Sequence, residues 1–193
     1  YNSTDGPIII EPDGQNTEST SPSDATGEGT TPPVVSEDDT LPPAEGMLRS
    51  KLTNEWVDED VVNTRPIALV IPNETEAIPH YNLSKASVLY EANVEGSMTR
   101  LLAVYDDWQT LEKTGNVRSL RLYFGYWATE WDAFLVHFGG PFYINDFIAE
   151  NTTQNVNGLL GSDDAAFFRS SDRPKPHNAY ITGENLLSVI NKK

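Results

Sequence analysis

The chain has 193 residues, a formal net charge of -16 and no cysteine. Thirteen Lys and Arg against 29 Asp and Glu leave no basic stripe for a phosphate backbone, which argues against nucleic-acid binding. The missing cysteines exclude disulfides, thiol catalysis and thiolate metal sites, and no apolar run approaches the ~20 residues that span a bilayer.

Residues 1–46 hold ten Asp and Glu and no Lys or Arg, a charge of -10, among Ser, Thr, Pro and Gly. Such a segment buries too little apolar surface to offset its chain entropy. It reads as a disordered, self-repelling acidic linker that spaces the domain over 47–193 from an anchor. The chain begins at Tyr1 with no signal-peptide pattern and so reads as a processed or trimmed protein.

Residues 47–64 are transitional. "IALVI" (67–71), closed by Pro72 and Asn73, reads as a buried strand. Ser84 opens a short helical turn. "SVLYEANV", the turn "EGSM" (95–98) and "TRLLAVYD" (99–106) make a hairpin. Gly115 and Asn116 form a turn, and Ser119 is the expected N-cap of a helix with Leu120, Phe124, Trp127 and Trp131 on its buried stripe. "AFLVHF" (133–138) is a strand ending at Gly139 and Gly140. Pro141 is placed at N1 of a helix through "FYINDFIAE". Residues 151–165 are loop-rich, "AAFFR" (165–169) is a short strand, "RPKPHNAYI" is irregular and "GENLLSVINKK" is a terminal helix. This order predicts an α/β fold, with α+β as the alternative: a mixed sheet flanked by helices.

Polar chemistry gathers at three places. Arg118 and Arg121 fall three apart at the expected helix start, where a cation opposes the helix dipole by ~0.3–1 kcal/mol. Two guanidinium forks and free N–H groups there suit a carboxylate or phosphate. The alternative is pairing with Glu91 and Glu95 of the hairpin. "HFGG" (137–140) sets His137 at a strand end, where α/β sheets place their ligands; a core histidine bonded to backbone is the alternative. "FFRSSDRPKPHNAY" (167–180) gathers Arg169, Arg173, Lys175, His177 and Asn178 in a proline-stiffened loop, which is either a binding loop or a solvated connection.

G-x-S-x-G, H-E-x-x-H, Walker A and G-x-G-x-x-G are all absent. Nothing implies a cofactor, and His80, His137 and His177 are too scattered to predict a metal site.

In order along the chain, "RPIALVIPN", "LSKASVLYEANVEGSMTRLLAVYDD", "GNVRSLRLYF", "EWDAFLVHFGG", "NGL" and "FFRSSDRPKPHNAY" resemble the YerB-like family of bacterial lipoproteins, over roughly residues 65 to 191. His80 and Tyr81 are bulkier than the family usually shows there, and Gly96–Ser97–Met98 is less glycine-rich. The resemblance implies an extracytoplasmic protein, held on the outer face of a Gram-positive membrane by a lipidated cysteine upstream of Tyr1, with a further C-terminal domain. It carries over no activity. Its polar motif positions fall here on Glu91, Glu95, Arg100, Arg118, Arg121, His137, His177 and Asn178. The leading expectation is an envelope module that binds an anionic or glycan wall component, or a partner protein, in an Arg/Glu/His cleft. The alternatives are a hydrolase or transferase acting on a wall polymer by Glu/His acid-base chemistry, and a purely structural network.

Overall fold

The computed structural model describes residues 41–150 and 154–193; most of the acidic linker therefore lies outside the described residues. Among those described, a hairpin of β1 (Met47–Arg49) and β2 (Trp56–Asp58) leads into α1 (Glu59–Asn63) and β3 (Ile67–Pro72). β4 (Val88–Asn93), β5 (Thr99–Tyr105), β6 (Thr114–Gly115), α2 (Leu122–Glu130) and β7 (Phe134–His137) follow. The chain then continues through α3 (Asn145–Ala149), β8 (Asn155–Asn157), β9 (Phe167–Arg169), β10 (Ala179–Ile181) and α4 (Gly183–Ile190).

The main sheet has the order β4-β5-β3-β7-β8. β3 pairs antiparallel with β5 and parallel with β7, and β7 pairs parallel with β8. The fold is thus α/β with a mixed sheet. β3 lies mid-sheet and all six of its residues are buried, which is why it reads as an unbroken apolar run. Its alternate side chains serve two cores. Ile67, Leu69 and Ile71 join Tyr105, Val117, Ile181 and Leu186 on one face. Ala68 and Val70 join Leu102, Leu120, Phe124 and Leu135 on the other. Edge strand β4 alternates half-buried and exposed residues because one of its faces meets solvent.

Several expectations change. The helix starts at Leu122, with Arg121 in extended backbone as its N-cap residue. Ser119 does not cap it; its Oγ donates to the Phe138 carbonyl at 3.2 Å. Trp127 is only half-buried, stacked on Tyr90 with ring centroids 4.9 Å apart. Pro141 precedes a 3-10 turn over Phe142–Ile144, so the α3 helix is shorter than read. The "irregular" stretch contains β10, centre of a second sheet β6-β10-β9. Its three residues are fully buried, but a three-residue run behind two prolines gives no legible period. The loop-rich span likewise holds β8. No helix of the described residues is long and apolar enough to cross a membrane.

Candidate functional site

The β3–β7 ladder ends at Leu69↔Val136. Beyond it the two strands are held apart by the segment 117–120. The Arg118 N–H donates to the Val70 carbonyl at 2.9 Å, the Phe138 N–H donates to the Arg118 carbonyl at 3.0 Å, and the Leu120 N–H donates to the Gly139 carbonyl at 2.9 Å. These bonds hold 118–120 extended, so the helix cannot begin before 121. Arg118 therefore carries no helix-dipole penalty, and it sits at the C-terminal ends of parallel strands.

Glu74 follows the end of β3 and Arg100 lies on β5, opposite Pro72. Glu74 Oε1 lies 3.9 Å from Arg118 Nη2 and 3.7 Å from His177 Nδ1. Arg100 Nη1 donates to the Ser119 carbonyl at 2.6 Å. Arg121 instead grips Glu95 with both ends of its fork, Nε to Oε1 at 2.7 Å and Nη2 to Oε2 at 2.5 Å.

The arginines differ in how well their charge is met. Its hydrogen bond to Glu95 raises the pKa of Arg121. Arg118 is lowered, by burial first. Arg100, 4% exposed, falls to about 10 through burial and then repulsion from Arg121 and Arg118. Arg100 Nε, Arg118 Nε, Glu74 Oε2, His177 Nδ1 and Asn116 Oδ1 are all buried without a protein hydrogen-bond partner. Burial, and after it Arg118, hold the His177 pKa below its ordinary value, which keeps the ring neutral at pH 7. Buried polar groups are nearly always paired, so these five unpaired atoms make this cluster the candidate site.

The other sequence candidates lie elsewhere. Glu91 accepts from Asn73 Nδ2 at 3.0 Å and Thr99 Oγ1 at 2.6 Å, and no arginine pairs with it. His137 is fully buried; its Nδ1 donates to the Gly139 carbonyl at 2.8 Å, which makes it the core histidine. Gly139, at φ +73°, and Gly140 serve the turn that grips Leu120 rather than a ligand. Asn178 accepts from Arg169 at 2.7 Å and donates to the Ser170 carbonyl at 3.0 Å, closing its own loop. Arg173 holds the carbonyls of Ala77 and Pro79.

Sequence reasoning missed Glu74 and Asn116. Glu74 stands just past a strand's C-terminal end, the signal that drew attention to His137. Asn116 is fully buried, and its Nδ2 donates to the carbonyls of His177 at 2.8 Å and Ala77 at 3.4 Å. It ties the Glu74 loop to the His177 loop. Three clefts lie elsewhere: one of about 470 Å³ beside Ser50, Arg65 and Asp106, one of about 510 Å³ with an acidic rim, and an aromatic one of about 510 Å³ at Tyr126, Tyr143 and Phe147. None is lined by Glu74, Arg118 or His177. The arginine cluster is marked by its chemistry.

These features define a mixed-sheet domain with an arginine-bearing segment wedged between parallel strand ends. The chain belongs to the family described as "Protein of unknown function (DUF3048) N-terminal domain", whose model matches residues 52–193. It is similar to "Putative lipoprotein YerB" of Bacillus subtilis (strain 168), with 32% identity over 155 residues, 80% of this chain and 46% of that protein. It is also similar to the crystal structure of YerB protein from Bacillus subtilis, with a TM-score of 0.70 and 32% identity over 75% of this chain and 49% of that one. The chain spans about half the length of these relatives.

Proposed function

We propose that this domain is an extracytoplasmic module of a Gram-positive cell envelope, lipid-anchored in the whole protein, that binds an anionic group of a wall component through Arg118, Arg100 and His177. One observation carries the reading: among the described residues the half-buried Arg118 side chain donates no hydrogen bond, and its ion-pair partner Glu74 is 3.9 Å away. Guanidinium forks are suited to carboxylate and phosphodiester oxygens. The name of the Bacillus subtilis relative supports the envelope location, as does the acidic linker composition.

The test follows melting temperature while acetate, dimethyl phosphate or inorganic phosphate is titrated, because a ligand bound only to the folded state raises it. A rise is expected in wild type and none in Arg118→Ala. If no anion gives a rise at millimolar concentration and Arg118→Ala is strongly destabilised, the pair with Glu74 is structural.

The 3.7 Å approach of His177 to Glu74 favours a second reading, an acid-base pair of a hydrolase or transferase acting on a wall polymer. Release of reducing ends or phosphate from purified wall polymer, abolished by His177→Ala, is its expected signature.

A further inference from the structure

We infer that the ligand at this site is an anion that also carries a hydroxyl donor close to its charge, the chemistry of a polyol phosphodiester or a hydroxy-carboxylate unit. This deepens the anion-binding reading and rests on it. Arg121 is neutralised by Glu95, which leaves Arg100 and Arg118 against Glu74, and Arg173, bonded to the Ala77 carbonyl and 3.8 Å from Asp172, adds a further cation beside His177. Glu76, on the Glu74 loop, is exposed and screened by solvent. The excess is positive, which suits an anion.

Glu74 supplies the second half of the argument. Among the described residues its side chain accepts no hydrogen bond, and Oε2 is buried without a partner. It lies beside the guanidinium that would receive the ligand. A bare anion placed on Arg118 would face this carboxylate and be repelled, with nothing to offset the repulsion. A ligand hydroxyl donating to Glu74 converts that repulsion into a charge-assisted hydrogen bond while the acid group stays on Arg118. The site thus offers donors and acceptors together, and a ligand with only acceptors leaves half of them unmet.

Two matched pairs test this by calorimetry on the full chain: glycerophosphoglycerol against dimethyl phosphate, and glycerate against propionate. In at least one pair the hydroxylated member is expected to bind ~10-fold or more tightly, as a hydrogen bond to a charged group requires. The better pair distinguishes a phosphodiester source from a carboxylate one. Glu74→Ala should erase the advantage and leave the hydroxyl-free anion bound as tightly or more so, with unliganded melting temperature showing that the variant folds. Equal binding within both wild-type pairs, or equal losses for both members in Glu74→Ala, overturns the hydroxyl inference but leaves anion binding standing. No binding by any of the four overturns both.

Discussion

Arg121 keeps Glu95 within a two-point grip, and the grip contributes to the acid limb of stability. The hydrogen bond from Arg121 holds the Glu95 carboxyl down from 4.5 to about 2. A depressed carboxyl contributes its stability in full above 4.5, and that contribution is lost as pH falls toward 2. Glu95 is 63% exposed, so the contribution is at most ~1 kcal/mol. Urea midpoints of wild type and Glu95→Gln should therefore differ at pH 6 and converge near pH 2; a gap independent of pH would contradict this. His137 acts at higher pH. Burial depresses its pKa, so the unfolded chain takes up a proton that the folded chain resists. Stability should be full above about 6.5 and decline as pH drops below it. His137→Gln should flatten the decline between pH 7.5 and 5.5, and an unchanged slope would show that other groups cause it.

At the scale of elements, α2 shows how burial, not residue type, sets what a side chain contributes. Phe124 is fully buried, and Phe124→Ala should cost about 3–5 kcal/mol in chemical denaturation. Trp127 lies on the same stripe but is half-buried against Tyr90, so its truncation should cost less, about 2 kcal/mol. Equal losses would show that the Tyr90 stack carries as much as the core. At the start of α4, a Cβ on Gly183 would lie 2.2 Å from the Gln109 carbonyl oxygen and 2.5 Å from that of Trp108. Both are backbone atoms that cannot swing away. Gly183→Ala should destabilise by about 1–3 kcal/mol or more, although alanine is the better helix former; a stabilised variant would show that the helix start shifts freely.

Across the whole molecule, β3 and β5 supply side chains to both cores, so neither face can unfold alone without stripping the sheet. Leu69→Ala on one face and Leu102→Ala on the other should each cost about 2–5 kcal/mol. Both should lower one shared transition, seen alike by calorimetry and by near-ultraviolet and far-ultraviolet dichroism. Two separated transitions in either variant would mean that the cores are independent units.

The sequence by itself determined the central strand, the β4–β5 hairpin, the terminal helix and the family. The elements rest on local signals: an apolar run bounded by Pro72 and Asn73, alternation beside a short turn, and the helical stretch "GENLLSVINKK". It also identified Arg100, Arg118, Arg121 and His177 as residues to watch. Only the tertiary structure decided which of them meet. Arg118 is extended because the carbonyl of Val70 and the amide of Phe138 claim its backbone, and both lie far from it along the chain. Glu91 and Glu95 sit on one hairpin, yet Glu95 alone pairs with Arg121. His137 turned inward, while Glu74 and Asn116 came to the site from turns. Periodicity reports which face of an element is buried. The partner of a charge depends on loops converging from distant parts of the chain, and no local pattern encodes that convergence.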